Sequence, residues 1–151
     1  MKQIEWIDHY LNDAEQLMYS NEIDKGLRIM NGLLYEEPGY GRLHNNLGWA
    51  YMYYTSNVAS AELHLKMAIR FDESSSSAYH HLGALYFRQG RYREAIESLD
   101  RGVGKPDANK FAVLDIMAQA YELSGDLTLA IKTYKRAMMA SVAAHEFHSF
   151  I

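Results

Sequence analysis

The stretch Leu47-Gly48-Trp49-Ala50-Tyr51 returns as Leu82-Gly83-Ala84-Leu85-Tyr86, and in weakened form as Met117-Ala118-Gln119-Ala120-Tyr121, at a step of 35 residues each time. A fainter copy, Asp13-Ala14-Glu15-Gln16-Leu17, sits 34 residues before the first. A second phrase recurs in phase about ten residues after each Tyr: Ala61-Glu62-Leu63-His64-Leu65, then Glu94-Ala95-Ile96-Glu97-Ser98-Leu99, then Leu129-Ala130-Ile131-Lys132-Thr133-Tyr134. A period in the thirties with two apolar-periodic segments per period describes a solenoid of helical hairpins. No single hairpin of that kind buries its apolar face alone, so stacked repeats must supply the core.

Within each period the apolar residues fall three and four apart, which places them on one face of a helix. The spacing predicts helices over 4–19, 22–35, 41–54, 58–71, 77–89, 92–103, 109–124 and 127–139. In the first of these Ile7, Tyr10, Leu11, Ala14, Leu17 and Met18 form the inward face. Asn21, Pro38-Gly39, Thr55-Ser56-Asn57, Gly90, Gly104-Lys105-Pro106 and Gly125 punctuate the pattern at its turns. Asp72-Glu73-Ser74-Ser75-Ser76-Ser77 has the polarity of a linker, but the repeat phase runs through it and Ser suits a helix N-cap, so it reads as a turn inside the array. Gly104-Lys105-Pro106-Asp107 closes the helix over 92–103, with Asp107 available as a cap. Residues 141–151 keep helical character while carrying apolar side chains such as Val142, Phe147, Phe150 and Ile151. They predict a helical extension that continues into further chain or packs on a neighbour, including another copy or the chain's own groove.

The recurring residues resemble the tetratricopeptide-repeat (TPR) motif. Gly83, Tyr86, Gly90, Tyr92, Ala95, Leu99, Gly102 and Pro106 follow that motif in order, with the proline one place early. Ala118, Tyr121, Gly125, Leu127, Ala130, Tyr134 and Ala137 follow it again without the proline. Gly48, Tyr51, Ala61, Leu65 and Ala68 fit once an extra residue is allowed in the turn at 55–57, and Ala14, Leu17, Ile23, Gly26, Met30, Leu33 and Pro38 make a poorer first copy. The resemblance covers roughly residues 7–140 and implies an all-α solenoid of about four TPR helix-turn-helix hairpins in a right-handed superhelix. It divides residues 1–140 into repeats at about 7–40, 41–75, 76–110 and 111–140, with 141–151 as the extension. It also implies that Gly48, Gly83 and Ala118 meet Ala61, Ala95 and Ala130, small against small, so that paired backbones approach closely.

Charge and composition narrow the function. The formal net charge is −4, and no run of Lys or Arg marks a nucleic-acid footprint. The first residues lack an apolar signal region, and no stretch approaches 18 uninterrupted apolar residues, so the expectation is a cytoplasmic protein without a membrane span. The chain has no Cys and seven His, but His145 and His148 are three apart rather than the four of His-Glu-x-x-His. Neighbouring His80 and His81 point about 100° apart on a helix, which disfavours a shared ion. The Ser run at 74–77 has no Gly-x-Ser-x-Gly context, and Gly102-Val103-Gly104-Lys105-Pro106 is too short for a phosphate loop. The expectation is a non-enzyme without metal or cofactor.

What the resemblance implies instead is a protein or peptide partner, held on the concave face by the first helix of each repeat. Its groove positions map onto Asp8, Leu11, Glu15, Met18 and Tyr19; then Arg42, Asn45, Trp49, Met52 and Tyr53; then Ser77, His80, Ala84, Phe87 and Arg88; then Ala112, Asp115, Gln119, Glu122 and Leu123. Aromatic residues and Met crowd the middle of this set, and those types anchor interfaces and adapt to them. The candidate groove is therefore Tyr19, Arg42, Asn45, Trp49, Met52, Tyr53, His80, Phe87 and Arg88. Trp49 and Phe87 read equally well as anchors and as packing between repeats, whereas Tyr19 and Tyr53 lean toward the groove. The family's carboxylate clamp is not matched, because Leu11 and Glu15 occupy its first Lys and Asn places and Ala112 and Ile116 its later Lys and Arg places. The function read from this is capture of a partner peptide or helix. A small secretion-type chaperone for an unfolded effector, or a TPR piece of a larger multidomain protein, are the alternatives.

Overall fold

Residues 2–149 are described in the computed structural model, and the side chains of 5–145. Eight helices succeed one another over these residues: α1 (Lys2–Tyr19), α2 (Ile23–Glu36), α3 (Gly41–Tyr54), α4 (Val58–Phe71), α5 (Ser76–Arg88), α6 (Tyr92–Val103), α7 (Lys110–Leu123) and α8 (Leu127–Ser149). They pair as antiparallel hairpins α1–α2, α3–α4, α5–α6 and α7–α8, and the second helix of a hairpin also packs on the first of the next in α2–α3 and α6–α7. The chain forms two compact units, Met1–Glu73 and Ser74–Ile151, each made of two hairpins. The division falls inside the acidic, serine-rich stretch at 72–77.

Three hairpins turn by the same device. Asn21, Gly90 and Gly125 have φ of 64°, 74° and 93°, the left-handed conformation that ends a helix with least strain when the residue is Gly or Asn. The next N–H then reaches back to a carbonyl five residues earlier: Glu22 to Leu17 at 2.8 Å, Arg91 to Tyr86 at 2.9 Å and Asp126 to Tyr121 at 2.9 Å. The α3–α4 turn has an extra residue and lacks that bond. There the Thr55 hydroxyl donates to the Tyr51 carbonyl at 2.7 Å, and Asn57 caps α4 by accepting from the Ser60 N–H at 3.1 Å. A side-chain donor stands in for a backbone one at the end of α3, so the insertion still satisfies a terminal carbonyl.

Capping departs from expectation at one place. Ser75 precedes α5 without a side-chain cap; the Ser76 N–H donates instead to Asp107, 31 residues on, at 2.9 Å. Asp107 thus serves the start of α5, two helices earlier, and Asn109 caps α7 through the Ala112 N–H at 3.2 Å. The helix predicted to end at 139 continues as α8 to Ser149. Phe147, His148, Phe150 and Ile151, singled out in the sequence, lie outside the described side chains.

The small residues make room for large ones. A Cβ added at Gly48 would come 2.5 Å from Leu65 Cγ, and one at Gly83 2.5 Å from Leu99 Cγ. Ala61 contributes mainly its carbonyl, 3.3 Å from the same point beside Gly48. The pairing is glycine against leucine rather than the expected small against small. Ile7, Leu11, Ala14, Met18, Met30, Leu33, Leu43, Leu47 and Ala50 fill the core of the first unit. In the second, Leu99, Val113, Leu114, Met117 and Ala137 form a core cluster. Tyr10 does not join the core; it is 47% exposed, with its ring edge-on to Trp6.

Candidate functional site

In the first unit α1 and α3 lie side by side and run parallel, since each contact further along α1 is also further along α3. Arg42 pairs with Asp8 at 2.8 Å and donates to Asn12 at 3.1 Å. One turn on, Asn46 donates to Glu15 at 2.6 Å, and Tyr19 meets Trp49 edge to face at 5.7 Å. Tyr40 adds a 2.6 Å hydrogen bond to Asp8. Burial, and then the accepting Asp8 carboxylate, push the Tyr40 hydroxyl pKa up. These contacts form a polar seam that ends in an aromatic ledge.

The ledge is where the expected groove residues gather. Tyr19 is 64% exposed and Tyr53 45%, while Trp49 is half-buried between Tyr19 and Tyr54, whose ring lies 5.2 Å from it at 70°. Asn45, Trp49 and Tyr53 are four apart on α3 and share a face. Trp49 thus packs against Tyr19 and Tyr54 with part of its surface and leaves the rest of it open. Met52 does not share that face. It lies one turn after Gly48, on the side that meets α4, and is only 7% exposed. Leu11 and Met18, mapped to groove positions, are likewise wholly buried. Arg42 is committed to Asp8 and Asn12, so it positions α1 against α3. Sequence reasoning missed Tyr54, whose place in the ledge depends on a ring contact that a motif position does not encode.

In the second unit α5 carries His80, Phe87 and Arg88. Phe87 lies across the Gly90 turn with its ring 5.7 Å from Tyr92, at 63°. Arg88 is exposed at the end of α5. The rings of His80 and His81 are 6.2 Å apart and nearly parallel, at 20°. Burial lowers the pKa of both, that of His81 to about 4, with the charge of His80 as a second cause. Two half-buried imidazoles side by side are thus favoured in the neutral form. On α7, Gln119 donates to Asp115 at 2.9 Å, which occupies the two polar groove positions of that helix with each other.

Among the described residues no group of three or more His, Cys, Asp or Glu is placed to hold a metal ion. None of their helices is long and apolar enough to cross a membrane.

Residues 76–103 and 112–141 each match the sequence profile of the tetratricopeptide repeat. These two segments are tetratricopeptide repeats, and the chain carries them in its second unit. Its fold is shared with MamA, whose crystal structure superposes with a TM-score of 0.84 at 18% identity, over 93% of this chain and 81% of that one. A second MamA structure, MamA AMB-1, gives 0.78 at 21% identity over 91% and 80%. PilF of Pseudomonas aeruginosa gives 0.83 at 13% identity over 93% of this chain and 63% of that one. At such identities the likeness is one of fold. No curated protein sequence matches the chain. TPR arrays in general bind other proteins, and this chain is a protein-interaction module in that general sense.

Proposed function

We propose that the protein captures an extended peptide or a helix of a partner protein on the α1–α3 surface of its first unit. The observation that carries this reading is the Tyr19–Trp49–Tyr53 ledge. Three aromatic side chains are presented together, two of them well exposed, and Trp49 is fixed by ring contacts on both sides. Anchors already held in one rotamer lose little conformational entropy on binding, and Trp and Tyr are the types that most often dominate an interface. Apolar side chains of the ligand meet the ledge, and its backbone amides meet Asn45 one turn earlier on α3. The Arg42–Asp8 and Asn46–Glu15 contacts support the ledge from beneath. On α5 of the second unit, Phe87 and Arg88 offer an aromatic and a cationic contact of their own, beside neutral His80.

The test uses a displayed random-peptide library and a Trp6→Phe background in which Trp49 is the sole tryptophan. Selected peptides should be rich in apolar or aromatic residues and should alter Trp49 emission on binding. Tyr19→Ala/Tyr53→Ala should weaken them at least about tenfold, the scale of a hot-spot pair, with helicity unchanged. Affinity left intact by that double substitution would remove the ledge from the proposal.

A further inference from the structure

We infer that the protein assembles head to tail with copies of itself, α1 of one copy seating on α8 of the next. Inside each unit the second helix of a hairpin receives the first helix of the following one through two apolar positions. On α2 these are Leu27 and Leu34, half-buried against the core that contains α3 residues. On α6 they are Ile96 and Val103, half-buried against the core that contains α7 residues. The same repeat positions on α8 are Ile131 and Met138, 35 residues after the α6 pair. They are 56% and 66% exposed. The seat is built, and among the described residues nothing fills it.

The complementary surface is on α1. In α7 the residues at the corresponding positions are Leu114, Met117 and Tyr121, all packed within the cluster that also holds Ile96 and Val103. Tyr121 and Ile96 line one cleft, and in the first unit the Tyr51 hydroxyl accepts from Asn31 of α2 at 3.3 Å, so this face is the one that meets the preceding helix. The repeat phase places Tyr10, Asp13 and Leu17 of α1 at these positions. Tyr10 and Asp13 are exposed and Leu17 is half-buried.

Charge and spacing select a second copy as the occupant. Residues 5–19 contain Glu5, Asp8, Asp13 and Glu15 and no Lys or Arg; residues 127–145 contain Lys132, Lys135 and Arg136 and no Asp or Glu. Asp8 and Glu15 turn to α3, which leaves Glu5 and Asp13 exposed, Asp13 beside His9, 3.7 Å away. Lys135 stands four residues after Ile131 and three before Met138; Asp13 stands four before Leu17 and three after Tyr10. Laid antiparallel, the two stripes match at every step: Ile131 on Leu17, Lys135 on Asp13, Met138 on Tyr10. Because the two surfaces differ, the contact does not close by a two-fold axis; it joins copies head to tail into a ring or an open chain.

The test is sedimentation velocity of the full chain across a concentration series. The wild type should show a mass that grows with concentration and falls as salt is added. Asp13→Lys and Lys135→Glu, both at exposed positions, should each return the chain to monomer with unchanged helicity. In an equimolar mixture of the two variants every contact between unlike copies again joins opposite charges, so assembly should be restored. A wild type that stays monomeric throughout, assembly that neither reversal weakens, or a mixture that fails to reassociate would each overturn the inference.

Discussion

His44 and His64 meet through their Nδ1 atoms at 3.0 Å, and a carbonyl decides which of them donates. His44 Nε2 lies 2.6 Å from the Pro38 oxygen, which can only accept, so that nitrogen carries the proton. In the neutral ring His44 Nδ1 is then an acceptor, and His64 Nδ1–H donates to it. Phe71 lies against His44 and Tyr51 against His64, with ring centroids 5.4 and 5.8 Å away. Burial, and then the charge of His44, lower the His64 pKa to about 4.

That pair should make the first unit acid-sensitive. Unfolded, His64 takes up a proton near its ordinary 6.5; folded, it does so only near 4. Between those values the unfolded chain binds more protons, so stability is complete above about pH 6.5 and is lost as pH falls toward 4. His64→Gln retains a donor for His44 without the titration. Its urea midpoint should fall less than that of the wild type between about pH 7 and pH 5, and an equal fall in both would assign the loss elsewhere.

Two glycine substitutions should have opposite signs. Gly83→Ala places a methyl 2.5 Å from Leu99 Cγ, in a site where Leu99 is fully buried and has little room to retreat. Overpacking of this kind costs about 1–3 kcal/mol. Gly32, inside α2, has nothing within 4 Å of an added Cβ. Gly32→Ala should gain about 0.5–1 kcal/mol from helix propensity alone. Chemical denaturation of both variants gives the two signs directly.

The seam beneath the aromatic ledge should respond to Glu15. Asn46 is buried and donates to it, so Glu15→Ala strands an amide N–H at a cost of about 1–3 kcal/mol. Glu15→Gln keeps an acceptor and should recover most of that loss. In the Trp6→Phe background the Ala variant should also shift Trp49 emission, because Tyr19, which touches Trp49, is one turn from Glu15 on α1. Unchanged emission would uncouple the seam from the ledge.

Tyr79 offers a stabilising change. Its ring is fully buried, with Arg101 and Lys105 cations 5.1 and 5.2 Å from its centre, yet its hydroxyl has no hydrogen-bond partner among the described residues. Tyr79→Phe keeps the packing and removes the unsatisfied group, so it should be neutral or stabilising by about 1 kcal/mol. Ser98→Ala, which removes a 2.9 Å donor to the Tyr79 carbonyl, should instead cost about 1 kcal/mol. Thermal melts should show a lower midpoint for Ser98→Ala and an unchanged or higher one for Tyr79→Phe.

The repeating hairpins were legible in the chain because they rest on short-range chemistry. A step of 35, apolar residues three and four apart, and Asn21, Gly90 and Gly125 at the turns are all local signals, and the helices follow them to within a few residues except where α8 runs on. The side-chain assignments were not local. Met52 and Tyr53 are neighbours of similar promise, but a helix turns about 100° per residue, which sends one toward α4 and leaves the other on the surface. Arg42 looked available until α1 brought Asp8 to it from 34 residues away, and Asp107 turned out to cap a helix that begins 31 residues earlier. The sequence by itself determined the helices and their turns, because those depend on residues within one or two turns of each other, and turns this short bring successive helices together as hairpins. Only the tertiary structure decided which polar groups are already satisfied, that Tyr19, Trp49 and Tyr54 are in ring contact, and that His44 meets His64. Those outcomes depend on distances between residues far apart in the chain, and no periodicity encodes them.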